Sequence, residues 1–229
     1  MVETALIVGA GSGLSAALAR AFARDGARVA LAARNPGKLA ALCSETGAEA
    51  FACDAAKPAE VDKLFADVIA ALHQLDVVVY NPSARARGPV VDLDPPDVLR
   101  AITVSAFGGF LVARAAARHM LPRRSGAILF TGASASVKGY PLSSSFAMGK
   151  FALRGLAQSM ARELAPQGIH VAHFVIDGGI RSAARPDPAE NPDSFLDPDA
   201  IAATYLHVAK QQRSAWTWEV ELRPWVERF

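Results

Sequence analysis

From residue 5 onward, short apolar runs of strand length alternate with longer stretches of helical periodicity, and that alternation leaves few ways to fold. Ala5-Leu6-Ile7-Val8 is a continuous apolar run closed by Gly9, as a strand buried on both faces requires. Leu14, Leu18, Ala21 and Phe22 then mark one helical face, stopped by Gly26. Val29–Ala32 predicts the next strand, Asn35-Pro36 an N-cap and first helical residue, and Ala50–Cys53 a third strand. Val61, Leu64, Phe65, Val68, Ile69 and Leu72 give an amphipathic helix, followed by a strand at Val77–Tyr80. A long helix from about Asp97 to Met120, a strand at Ala127–Phe130 and a helix from about Ser144 to Leu164 continue the pattern. Strands at Ile169–Ile176 and Trp218–Leu222 flank a helix at Asp199–Lys210. Such alternation implies right-handed crossovers: an α/β fold with a single doubly wound parallel sheet of about seven strands and helices on both faces. No linker or repeat divides residues 1–229, so one domain is expected.

Composition narrows the function classes. With 52% hydrophobic and 20% charged residues the chain has a full core, which excludes disorder. A formal charge of +2 without any long Lys/Arg run gives no case for nucleic acid or an anionic membrane. Cys43 and Cys53 are too few for a disulfide framework or a four-ligand zinc site, and no metal is expected. Thr4 to Ala19 carries no charge, but it is too short to span a bilayer and follows Glu3 rather than a basic start. The expectation is a soluble, cytoplasmic protein.

The turn Gly9-Ala10-Gly11-Ser12-Gly13 joins the first strand to the first helix. Several glycines there let the backbone approach a pyrophosphate, and the helix opening at Leu14 offers it free N–H groups. Ser15 stands where many such loops carry a further glycine. A Rossmann-like dinucleotide site follows, with a plain turn as the alternative. The second strand ends in Ala33-Arg34-Asn35, with Lys38 beyond, and offers no carboxylate to a ribose 2′-hydroxyl. Arg34 suits a 2′-phosphate, which favours NADP over NAD, unless Arg34 is only a solvated residue.

In family order, Val8–Leu14, Cys53-Asp54, Tyr80-Asn81-Pro82-Ser83, Ser145–Leu153 and Asp177-Gly178-Gly179-Ile180 resemble the motifs of the short-chain dehydrogenase/reductase family along nearly the whole chain. The resemblance implies that Gly9, Gly11, Ser12, Gly13, Leu14, Arg34, Asp54, Asn81, Lys150 and Gly178 bind the cofactor. It also implies a small carbonyl or alcohol substrate, and a homodimer or homotetramer packed through the long fourth and fifth helices. Family enzymes use a Tyr, a Ser, a Lys and an Asn. Here Phe146 stands for the Tyr, Ala133 for the Ser with Ser134 beside it, and Ser105 for the Asn; Lys150 alone is unchanged. Loss of a general acid costs about 10²–10⁴ in rate, roughly 3–5.5 kcal/mol. The resemblance therefore implies an oxidoreductase with an atypical proton-donor site, served by Ser134, water or Tyr140, and the other reading is a non-catalytic dinucleotide-binding sensor or partner subunit. A lyase or dehalogenase on the same scaffold is a distant third.

Other residues are open between two readings. Lys150 grips ribose hydroxyls or is a surface lysine, the first being preferred. Tyr140 is a proton donor or a partly buried loop aromatic, the second being preferred. Asp177 orients a ring, relays a proton or stabilises a turn. Arg85 and Arg87 sit on the rim of the expected cleft as a solvated loop or as contacts for an acidic substrate. His170 and His173 flank the sixth strand on opposite faces and read as structural. Residues 181–198 occupy the place of a substrate lid, with the Pro- and Asp-rich stretch from Arg185 to Asp199 expected to be mobile.

Overall fold

The structure, a computed structural model, describes residues 2–227. Seven strands form one parallel sheet: β1 (Thr4–Val8), β2 (Arg28–Ala33), β3 (Glu49–Ala52), β4 (Val77–Tyr80), β5 (Gly126–Thr131), β6 (Ile169–Ile176) and β7 (Glu219–Leu222), in the order β3-β2-β1-β4-β5-β6-β7. The order reverses between β1 and β4, which start in register with Ala5 beside Val77. At such a switch point the two crossovers leave in opposite directions and open a crevice above the strand carboxyl ends.

Seven helices cover the sheet: α1 (Leu14–Arg24), α2 (Ala40–Thr46), α3 (Pro58–Leu72), α4 (Pro95–Ile102), α5 (Gly108–Met120), α6 (Ser144–Leu164) and α7 (Pro198–Ala209). The period-2 alternation of β1 divides the core. Leu6 and Val8 join Val61, Leu64 and Phe65 of α3, Leu111 and Val112 of α5 and Leu153 of α6. Ala5 and Ile7 join Leu18 and Phe22 of α1, Leu42 of α2 and Tyr205 of α7.

Three local details differ from the sequence reading. Asn35 precedes a 3₁₀ turn (Pro36–Leu39) rather than an α-helix, and its side chain caps nothing; α2 starts only at Ala40. His170 and His173 lie within β6 instead of flanking it. The long fourth helix is interrupted by a π-helical turn, Thr103–Phe107. There the Gly108 amide donates five residues back to Thr103, and the freed carbonyl of Val104 accepts the buried Tyr80 hydroxyl instead. Gly108 permits that approach, since a Cβ there would run into the Tyr80 hydroxyl, and Gly109 admits Leu153 of α6, whose Cδ1 would sit 2.6 Å from a Cβ.

The helical run from 95 to 123 is long and apolar enough to cross a membrane by length and composition. Within the domain, however, Leu111, Val112, Ala116 and Met120 are spent on the core.

Phe22 is fully buried between α1 and the sheet. Phe22→Ala should destabilise the fold by about 3–5 kcal/mol, read from urea unfolding, because the neighbouring strand cannot collapse into the void.

Candidate functional site

The site lies above the carboxyl ends of β1, β4, β5 and β6. Gly9 has φ +81°, and a Cβ there would meet Pro82 at 2.7 Å, so the turn out of β1 can pass β4 only as glycine. Gly11 and Gly13 differ: a Cβ at either meets nothing within 4 Å. Ser12 is exposed beside them, while Leu14 is buried and anchors the start of α1. No side chain caps α1 and no acid lies in its first turn, so its N–H groups face the opening. An open glycine-lined backbone at an uncapped helix N-terminus fits a dinucleotide pyrophosphate.

Ser15, the departure from the glycine pattern, has a structural task. Its buried hydroxyl donates to the Gly9 carbonyl at 3.0 Å and accepts from Asn81 Nδ2 at 2.7 Å. One hydroxyl thus ties the glycine turn to the end of β4, and Asn81 is held by it rather than projecting freely. At the end of β2, Arg34 and Lys38 are both exposed and no carboxylate stands beside them in sequence. Asp54 Oδ1 accepts from the Ala56 amide at 3.1 Å, an Asx turn that fixes the loop after β3.

Helix α6 carries the chemistry-bearing positions. Lys150 is buried, with its Nζ donating to the Thr131 carbonyl at 2.7 Å, which excludes the surface-lysine reading. Burial, and secondarily the charge of Arg85, lower its pKa to about 7. The Lys150 Nζ lies 5.9 Å from the ring centroid of half-buried Phe146, and the Arg85 guanidinium lies 4.2 Å from the same centroid. The Phe146 ring therefore lies between the Arg85 guanidinium and the buried Lys150 amine, and it has no proton to exchange.

The two serines fare differently. Ser105, fully buried in the π-helical turn, accepts from the Ala84 amide at 3.3 Å and donates to the Ala84 carbonyl at 3.4 Å. Its hydroxyl is committed to the loop after β4. Ser134 opens a 3₁₀ turn (Ser134–Ser136) and is half-buried; the fully buried hydroxyl there is that of Ser136, which accepts from the Ala133 amide at 3.1 Å.

On the far side of the crevice, Gly178 has φ +151° and packs against Pro224. Asp177 is buried and ion-paired with Lys138 at 3.2 Å and Arg223 at 3.3 Å, so it belongs to a charge cluster rather than an Asx turn. Tyr140 is 43% exposed, with Lys138 Nζ 5.9 Å from its ring centre, and it does not join the Phe146–Lys150 group. The 181–198 segment is cross-linked rather than loose. Arg181 pairs with Asp187 at 2.9 Å and with Asp197, Asp187 also accepts from the Phe195 amide, and Ile180 bridges to Leu196.

Two contributors escaped the sequence reading. Ser145, fully buried, accepts from the Ala86 amide at 2.9 Å and donates to the Ala86 carbonyl at 2.7 Å. Glu219 of β7 takes Arg154 of α6 at 2.6 and 2.7 Å and meets His173 Nδ1 at 3.0 Å. Burial pushes His173 down to about 4, so the ring is neutral and stays beneath Gly132. A serine one position before Phe146 carries no signal in sequence, since its partner is a main-chain group far along the chain.

The lowered pKa of Lys150 makes a prediction. Below pH 7 the folded and unfolded chains both hold this proton; above 7 only the unfolded chain does, until the ordinary lysine range. Stability therefore rises with pH across that window, by up to about 1.4 kcal/mol per pH unit. Unfolding free energies of the wild type relative to Lys150→Met should move in favour of the wild type between pH 7 and 9.5, and a flat difference would refute the lowered pKa of Lys150.

Comparison with known proteins agrees with this geometry. The profile of the short chain dehydrogenases matches residues 3–190. The Short chain aldehyde dehydrogenase 1 of Euphorbia lathyris is 30% identical over 175 residues, covering 74% of this chain and only 61% of that protein. The crystal structure of a short-chain dehydrogenase from Rhodopseudomonas palustris superposes with a TM-score of 0.85 at 35% identity, covering 97% of this chain and 99% of that one. A metagenomic short-chain oxidoreductase solved with NADP superposes at 0.86 with 28% identity and 98% coverage of both chains. With most of its length inside the family profile and its fold matched end to end, the chain belongs to the short-chain dehydrogenase family.

Proposed function

We propose that this protein is an NADP-preferring oxidoreductase that moves a hydride between the nicotinamide and a small carbonyl or alcohol substrate, with a proton-donor site that has no phenol. The observation that carries the reading is the open glycine turn at the uncapped N-terminus of α1, with exposed Arg34 at the end of β2. The solved relative with NADP supports the choice of dinucleotide.

When bound, the nicotinamide supplies or accepts the hydride. The chain's part is placement. Gly9, Gly11, Ser12, Gly13 and Leu14 would present main-chain groups to the pyrophosphate, Arg34 would meet the 2′-phosphate, and Asp54 and Asn81 would border the adenosine side and the centre of the crevice. Gly178, packed against Pro224, would hold the turn after β6 beside the nicotinamide, and Lys150 would take the hydroxyls of its ribose. Positioning of this kind supplies much of the rate in such transfers.

The proton must come from elsewhere than residue 146. Ser105 is bound to Ala84 and Tyr140 stands apart, which leaves Ser134 or a water at the half-open cleft. Phe146→Tyr should then raise kcat/KM toward plain ketones by about 10²–10⁴, since the phenol would regain Lys150 as its partner on the same helical face. Equal rates for both proteins would show that the parent has a full substitute donor.

Cofactor choice is tested by fluorescence titration. NADPH should bind the wild type at least about tenfold tighter than NADH, and Arg34→Gln should remove that margin. Absence of binding by either would overturn the reading.

We further propose self-association through α5 and α6, which expose Phe110 at 41%, Met148 at 53% and Phe151 at 45% next to Phe107 of the π-helical turn. Phe110→Glu combined with Phe151→Glu should yield a monomer in sedimentation velocity where the wild type sediments as a dimer or tetramer.

A further inference from the structure

Residues 81–88 leave β4 as an irregular segment, yet two of its residues are fixed through their main chain. Ala84 is held on both its amide and carbonyl by Ser105, and Ala86 on both by Ser145. Both serines are fully buried, so these contacts are shielded from water. Between the two anchors, Arg85 is exposed while Ala84 and Ala86 are turned inward. The chain thus spends two buried hydroxyls on a loop whose central residue is an arginine.

Arg85 is not a loose solvated side chain. Its guanidinium rests 4.2 Å from the centre of the Phe146 ring. Among the described residues it forms no ion pair, unlike Arg154, Arg181 or Arg223. Lys150 below the same ring is bonded to a carbonyl oxygen and meets no carboxylate there. Arg85 therefore holds against this ring a fork of N–H donors that no carboxylate among the described residues meets.

We propose that Arg85 is a specificity-determining residue that binds a carboxylate on the substrate, so that the enzyme's substrates are oxo acids or the corresponding hydroxy acids. A guanidinium stacked on an aromatic ring keeps its in-plane donors free, and that fork matches a planar carboxylate in a two-point contact. A single such fork suits a monoanion better than a phosphate dianion, because the Lys150 amine below the ring is bonded to the Thr131 carbonyl and does not bring a second full charge. The inference rests on the reading that Phe146 lines the substrate pocket, and it deepens that reading from carbonyl compounds in general to acidic ones.

The test uses calorimetric titration of the purified protein, with and without NADPH, with benzoate, its neutral counterpart benzamide, and phenyl phosphate. Benzoate should bind at least about tenfold tighter than benzamide, Arg85→Gln should abolish that margin, and Arg87→Gln, one exposed position along, should keep it. Equal binding of benzoate and benzamide, benzoate binding that survives Arg85→Gln, or tighter binding of phenyl phosphate would each overturn the assignment. In turnover, Arg85→Gln should raise KM for an oxo acid about tenfold and leave KM for its methyl ester unchanged. Failure of the cofactor titration described above would remove the oxidoreductase reading instead. The two failures are separable because the benzoate margin needs no catalysis.

Discussion

Every inner strand of this sheet has to bury both of its faces, and the rest of the molecule follows from that need. Leu6 and Val8 of β1 point one way and Ala5 and Ile7 the other, into two separate apolar clusters. Parallel strands covered on both sides can be joined only by crossovers that carry helices, which gathers all the strand carboxyl ends at one edge. The glycine turn, the loop after β4, the turn after β5 and the segment after β6 are neighbours for that reason alone. The site is a consequence of how the hydrophobic surface was disposed of.

On that frame, helix α6 does the assembling. Its Ser145 secures the loop bearing Arg85, its Phe146 forms the floor beneath that arginine, its Lys150 is fastened to the end of β5, and its Arg154 reaches Glu219 on β7. Gly149 lets the same helix lie against Ser105, where a Cβ would come within 2.8 Å. The loop after β4, the end of β5, strand β7 and the π-helical turn are all referenced to one rigid rod, which keeps distances in the cleft fixed even where the chain has no regular structure.

The strand and helix pattern was legible because periodicity reports burial, and burial is what shapes an α/β domain. The glycine turn and the register of Lys150 were legible for a related reason: they are backbone and helical-spacing constraints that show in a single stretch of sequence. What stayed hidden is non-local. Nothing around residues 103–107 signals a π-helical turn, because it arises when the Tyr80 hydroxyl captures the Val104 carbonyl from another element. Ser15 read as a mere departure from a glycine pattern, and only its bonds to Gly9 and Asn81 explain it. Asp177 was read as a possible turn former, since Lys138 and Arg223 lie 39 and 46 residues away in sequence. The Pro- and Asp-rich stretch after β6 suggested mobility, because composition does not show that Arg181 gathers its acids.

The edge strand β7 has a consequence for the way the molecule loosens. Asp177 donates its amide to the Leu222 carbonyl and pairs with Arg223, while Pro224 lies on Gly178. The last strand of the sheet, paired with β6 alone among the described residues, is thereby wired to the turn after β6 at the edge of the crevice. Sheet edges open at lower free energy than sheet centres. Fraying from this edge would therefore loosen the turn after β6 before the glycine turn, which is built on central β1. The two sides of the crevice would then open at different free energies, and hydrogen exchange along β7 would report the event before any global unfolding.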